Sequence, residues 1–305
     1  MKLTRKLTVL LVSVSGVGHV NSCIGVAETL QSSGHRIVFA TDQSFNGQFI
    51  KRGFDEEIIE KQLSPEEQRD PSAFFIKHHT ENGLFDDHLP VDKARIVMRC
   101  NKPVTRKEDE ILAKIIDRIK PDVIVNDFYF VSSIVKSGIP WVNLVSMQIL
   151  SVIEDPKTPP KWSGLAMDDT SEWGKYLELL KDDFEAYKKK IFCLFDDEKP
   201  FPDDRFIESP YLNIYSYPLE LDYIDQRPLP LAPKWHHFDS FIRMKEEEFD
   251  LPQKLAQKQG KLVYLSMGSL ASGHVQLMKR LIGLIADLPF RFIVSKGNLK
   301  NEFSN

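Results

Sequence analysis

The stretch SGVGHVNS places His19 just after a Gly16-x-Gly18 pair, between an apolar run and an amphipathic one. Two chemistries suit those residue types. Glycines spaced this way let a backbone turn approach a pyrophosphate, and Asp42, at the end of the next apolar run, can hold a ribose hydroxyl; that is the pattern of a dinucleotide-binding turn. Asn21 stands at the third glycine position, where helix and strand would have to approach closely. The same two glycines also make an ordinary tight turn. In the other chemistry His19 is a general base, since the positive end of a helix favours the neutral imidazole that such a base needs.

Asp127 bears on the second chemistry. It ends the run DVIVND. Neighbouring strands lie ~5 Å apart, so parallel strands would bring Asp127 and His19 to one sheet edge. A carboxylate there can accept from the far ring nitrogen and stabilise the imidazolium. The residues alone leave this pair open against two separate structural roles. A third motif, YLSMGSL, offers Gly268 and Ser269 as a nest of backbone N–H groups for phosphate, or as a plain strand-to-helix turn.

Other polar clusters carry less chemistry. His78, His79 and His88 with Asp86 and Asp87 read as one irregular loop without the ligand spacing of a metal site. His236 and His237 read as an exposed turn, and His274 as a surface residue past the glycine turn. A formal net charge of −4 supplies no basic footprint for nucleic acid. Cys23, Cys100 and Cys193 are odd in number and widely spaced, which argues against a disulfide framework and for a reducing, cytoplasmic setting. The basic start could imitate a signal peptide, but Leu7–Val14 is short and runs directly into Gly16, as a first buried strand would. No apolar run approaches the ~20 residues that span a bilayer.

Elements that would position these residues can be read from periodicity. Leu7–Val14 is continuously apolar, the habit of a parallel strand covered on both faces. Ile24, Ala27 and Leu30 recur at helical spacing up to Gly34, and RIVFA is a second strand. Residues 60–105 lack sustained periodicity and read as loops and short helices. A helix over Glu108–Ile119, the strand DVIVND, a short helix from Phe130 to Lys136 and the strand IPWVNLVS follow. Trp173–Phe195 reads as a long helix burying Leu177, Leu180, Phe184, Tyr187 and Ile191, with LNIYSYP a later strand and QRPLPLAPKW an extended stretch. The segment after KLVYLSMGSL repeats the order strand, glycine turn, helix, strand. The expected architecture is α/β, a doubly wound parallel-sheet domain over 1–245, a charged linker at 246–259, and the start of a second Rossmann-like domain at 260–305.

Taken together, GVGHVNSCIGVAETLQSSGHRIVFAT, IKPDVIVNDF, IPWVNLVS and KLVYLSMGSL with FRFIVSKG resemble the UDP-glycosyltransferase family of GT-B fold, closest to its soluble mite and bacterial subgroup. The resemblance implies transfer of a hexose from a UDP-sugar to a hydroxyl of a small lipophilic acceptor, with inversion and with neither metal nor cofactor. It implies His19 as general base, Asp127 as its support, and Gly268 and Ser269 at the donor diphosphate. Gly18, Ser146, Met147 and Gln148 are expected on the acceptor wall. The family's uracil platform and later phosphate loop find no counterpart before Asn305, so the chain is expected to be a fragment that binds donor weakly. Two other readings stay open: a non-catalytic binder of small lipophiles, and a nicotinamide-dependent dehydrogenase using Asp42.

Overall fold

The computed structural model describes residues 5–65, 71–127, 132–148, 150, 156–191, 193–194, 208–222, 234–244 and 248–297. Contacts divide the chain into two units, residues 1–62 with 89–244, and residues 63–88 with 245–305. The expected helix start at Phe130, the expected helix end at Phe195 and the extended stretch at 226–233 lie outside the described residues.

The first unit is built on a seven-stranded sheet in the order β3-β2-β1-β4-β5-β6-β7. The strands are β1 (Thr8–Ser13), β2 (Arg36–Thr41), β3 (Asp55–Ile58), β4 (Val123–Asp127), β5 (Trp141–Val145), β6 (Leu212–Ser216) and β7 (Trp235–Phe238). Every neighbouring pair is parallel. Side chains alternate along β1: Val9 and Leu11 join Val20, Cys23, Ile24 and Ala27 of helix α1 (Val17–Ser32). Leu10 and Val12 join Leu112, Ile115 and Ile116 of the Arg106–Ile119 helix on the other face. Both faces are covered, which is why the run is apolar without interruption. The chain winds outward from β1 to β3 and then returns to β4 beside β1, so the winding direction reverses there. In such sheets the crevice beyond the carboxyl ends at the reversal is where ligands bind.

Local chemistry fixes the ends of α1. At its carboxyl end Gly34 adopts φ +91°, its N–H reaching Gln31 O and that of His35 reaching Leu30 O. This is a Schellman closure, which needs a residue free to enter the left-handed region. A strap, residues 241–244, crosses the helix over Asn21, Gly25 and Glu28, which share one face. A Cβ on Gly25 would stand 2.4 Å from the Phe241 carbonyl oxygen. Arg243 Nη1 donates to Asn21 Oδ1 at 3.0 Å. The buried Glu28 carboxylate accepts from the Met244 N–H and, at 3.1 Å, from Arg52 Nη1. Asn21 therefore stands where a dinucleotide fold would want glycine because it holds an arginine of the strap.

Several sequence expectations change. Residues 60–105, expected as loops and short helices, hold two eleven-residue helices, Pro71–Glu81 and Pro90–Cys100. The next helix opens at Arg106, capped by Thr105, whose hydroxyl accepts from the Glu108 N–H while the Glu108 carboxylate accepts from the Thr105 N–H. Leu177 is exposed. The buried stripe of the Trp173–Ile191 helix is instead Trp173, Tyr176 and Leu180; Tyr176 and Leu180, with the partly buried Phe184 and Tyr187, pack with Ala94 and Met98 of the Pro90–Cys100 helix. His236 and His237 lie in β7, not in a turn, and His237 Nε2–H donates to the Tyr217 carbonyl.

The second unit pairs β8 (Leu262–Leu265) with β9 (Arg291–Val294) in parallel. Residues 63–88, placed with the first domain from the sequence, group here. Gly273 lies so close to Ile76 and Phe85 that a Cβ would meet them at 2.5 and 3.0 Å, and the Phe85 and His274 rings stand 5.4 Å apart. Among the described residues no helix is long and apolar enough to cross a membrane.

Gly25→Ala is expected to push the strap off α1 and to cost about 1–3 kcal/mol, the usual range for overpacking. A denaturant midpoint checks the cost and proteolysis near Met244 checks the release; an unchanged midpoint would contradict the packing described.

Candidate active site

β1 and β4 run in register from Val9 opposite Val123 to Ser13 opposite Asp127. Asp127 therefore ends its strand beside the point where β1 turns into α1. Helix α1 begins at Val17, with Gly16 as its N-cap at φ −99° and ψ 130°. His19 is thus the third residue of the helix and not part of the turn before it. That placement swings its ring back over Gly16: a Cβ on Gly16 would sit 2.8 Å from His19 Cδ2. The glycine is needed for room and not for backbone freedom.

The ring stands against a buried carboxylate. His19 Nδ1 lies 3.0 Å from Asp127 Oδ2, with the His19 side chain 23% exposed and that of Asp127 1% exposed. Ser146, just past β5, points at both. Its Oγ lies 2.8 Å from Asp127 Oδ2 and 3.1 Å from Oδ1, and 2.8 Å from His19 Nδ1. Beneath them, one turn along α1, Cys23 is fully buried. Burial pushes its thiol well up, the Asp127 carboxylate adds to this, and a hydrogen bond with Ser13 opposes it. Cys23 is therefore a neutral wall of the site.

The structure brings together His19, Asp127 and Ser146 from the positions singled out in the sequence. Gly18 sits exposed in the first turn of α1, and a Cβ there would meet nothing. Met147 is half-buried and Gln148 exposed beside Ser146. Gly268 and Ser269 belong to the second unit, where Gly268, at φ +69°, opens the four-residue helix Gly268–Ala271 after β8.

A second polar cluster flanks the same loop and had no clear sequence signal beyond Asp42. The buried Asp42 carboxylate accepts from the Ser44 N–H at 2.9 Å and from the Ser44 hydroxyl through Oδ1. Through Oδ2 it accepts from the Ser15 hydroxyl and pairs with Lys61 Nζ at 3.1 Å. Lys61 Nζ also donates to Ser15 Oγ at 3.0 Å. Four donors fill the roughly four lone-pair sites of a carboxylate. Asp42 thereby anchors Ser15 and caps the Gln43–Phe45 turn, a structural use of the acid that the dinucleotide pattern assigns to a ribose.

His79 and His274 have structural partners. His79 lies on the Pro71–Glu81 helix and not in a loop; its Nδ1–H donates to the Phe75 carbonyl at 2.8 Å. Burial lowers its pKa, more than the Phe75 contact raises it. His274 caps the Val275–Ile285 helix, its Nδ1 accepting from the Leu277 N–H at 3.3 Å.

Compared as a sequence, the chain matches no family model and no curated protein. Compared as a structure, it is similar to the crystal structure of the glycotransferase of kitacinnamycin, with a TM-score of 0.57, 15% identity, and coverage of 97% of this chain and 67% of that one. It is also similar to the glycosyltransferase SnogD from Streptomyces nogalater, with a TM-score of 0.51, 13% identity, and coverage of 98% and 69%. The fold is that of the GT-B glycosyltransferases, and the chain spans about two thirds of the length of these structures.

Gly16→Ala is expected to lift the His19 ring from Asp127. The imidazole resonances of His19 check it, and an unmoved signal would refute the close approach. Alkylation of the native protein is expected to mark the exposed Cys193 and to spare Cys23 until unfolding; rapid labelling of Cys23 would show that the floor of the site is open.

Proposed function

We propose that the chain is a UDP-sugar-dependent hexosyltransferase, or the acceptor half of one, acting on a hydroxyl of a small lipophilic acceptor with inversion at the anomeric carbon. The observation that supports this most is the 3.0 Å contact between His19 Nδ1 and the buried Asp127 at the carboxyl edge of a parallel sheet. A carboxylate on Nδ1 favours the tautomer with its proton there and leaves proton acceptance to Nε2. The acceptor O–H gives its proton to Nε2 as its oxygen bonds to the anomeric carbon. The bond from that carbon to the diphosphate oxygen breaks with its electron pair, and UDP departs from the opposite face. Asp127 offsets the imidazolium charge that develops. Gly268 and Ser269, following β8, are assigned to the diphosphate, and Gly18, Met147 and Gln148 to the acceptor.

The experiment is turnover of the chain with a UDP-sugar and a panel of phenols, read as UDP release and product configuration. His19→Ala and Asp127→Asn are each expected to lower the rate by about 10²–10⁴-fold, the range for loss of a general base or of its orienting carboxylate. Undiminished turnover in His19→Ala would end this reading.

A second reading is the binding of small lipophiles without turnover. Calorimetric titration separates the two: phenol affinity with no UDP-sugar affinity supports the binder, and affinity for both supports the transferase.

A further inference from the structure

We propose that Ser146 is a positioning residue of the His19–Asp127 pair, the group that locks the tautomer of His19, rather than a contact to the acceptor. This rests on the reading of His19 as the base. Three distances carry it: Ser146 Oγ lies 2.8 Å from His19 Nδ1, 2.8 Å from Asp127 Oδ2 and 3.1 Å from Asp127 Oδ1. A serine hydroxyl has one proton to give and lone pairs to receive with. If the hydroxyl donated to Nδ1, that nitrogen would carry a bare lone pair facing the Asp127 carboxylate at 3.0 Å, two acceptors against each other in a buried site. The arrangement that satisfies every group has the hydroxyl donating to Asp127 and the Nδ1–H shared between Asp127 Oδ2 and Ser146 Oγ. A proton on Nδ1 then meets two acceptors, and one on Nε2 forfeits both.

Ser146 also limits how the carboxylate can turn. Its hydroxyl bridges both oxygens, so Asp127 cannot rotate away from the imidazole without breaking that bridge. The aspartate ends β4 and the serine is the first residue after β5, and these strands are paired with Asp127 opposite Leu144. Sheet register therefore brings the two strand ends together, two residues before the serine. Gly16 completes the cradle by leaving room for the edge of the ring at Cδ2, where a Cβ would stand 2.8 Å away.

The test is nitrogen NMR of the full chain labelled at its eight histidines, with His19 assigned from the His19→Ala spectrum. The wild-type neutral ring is expected to show the Nδ1–H form. In Ser146→Ala the ratio is expected to shift toward Nε2–H by roughly tenfold, the size of one ordinary hydrogen bond, and Ser146→Thr, which keeps the hydroxyl, is expected to restore it. An unchanged tautomer in Ser146→Ala overturns the proposal, and so does a Thr variant that behaves like Ala. A further readout is phenol affinity: weaker binding by Ser146→Ala with the tautomer intact would place Ser146 on the acceptor wall and overturn the proposal as well. None of these readouts needs sugar transfer, so the tautomer lock can fail while the proposed activity stands, and the reverse.

Discussion

A buried negative charge governs the first unit. Asp127 is almost wholly shielded from water at the end of a central strand, and a carboxylate in that position costs several kcal/mol unless it is hydrogen-bonded and matched. Its register partner in β5 is Leu144 and its neighbour on α1 is the buried Cys23, neither of which can match the charge. Partners must come from outside the strand ladder, and they do: His19 from the first turn of α1 and Ser146 from the end of β5. The same shielding makes each contact electrostatically stronger than it would be in water. What stabilises the carboxylate is also what orients the base.

The turn that leads into the helix bearing His19 is held from two directions. On one side the ring rests on Gly16; on the other, Ser15 is bound to Asp42 and Lys61. Asp42 follows β2 and Lys61 lies just after β3, so the outer strands steady the turn that precedes His19. That end of the second strand is also where a dinucleotide fold places its ribose-binding acid.

Much of this was legible in the sequence. Continuous apolar runs gave away strands covered on both faces, and Asp127 could be placed at the ligand edge because DVIVND ends on it. The helices at 71–81 and 90–100 were expected only as unplaced short helices among loops. In the second, the buried Ala94, Ile96, Met98 and Cys100 fall at every other position, a spacing that does not announce a helix. Leu177 misled because apolar residues at 176, 177, 179 and 180 allow two overlapping stripes, and only the opposing Ala94 and Met98 decide between them. The role of Asn21 depends on Arg243, more than two hundred positions away, a separation across which no local pattern could point.

The strap over α1 has an engineering consequence. Glu28 grips the backbone at Met244 and Asn21 grips Arg243, so the last residues of the first unit are fastened to the helix that bears His19. A chimera spliced upstream of Phe241 would unbutton that helix along a whole face, however well its new partner folded. A junction placed after Met244 would carry the fastening with it.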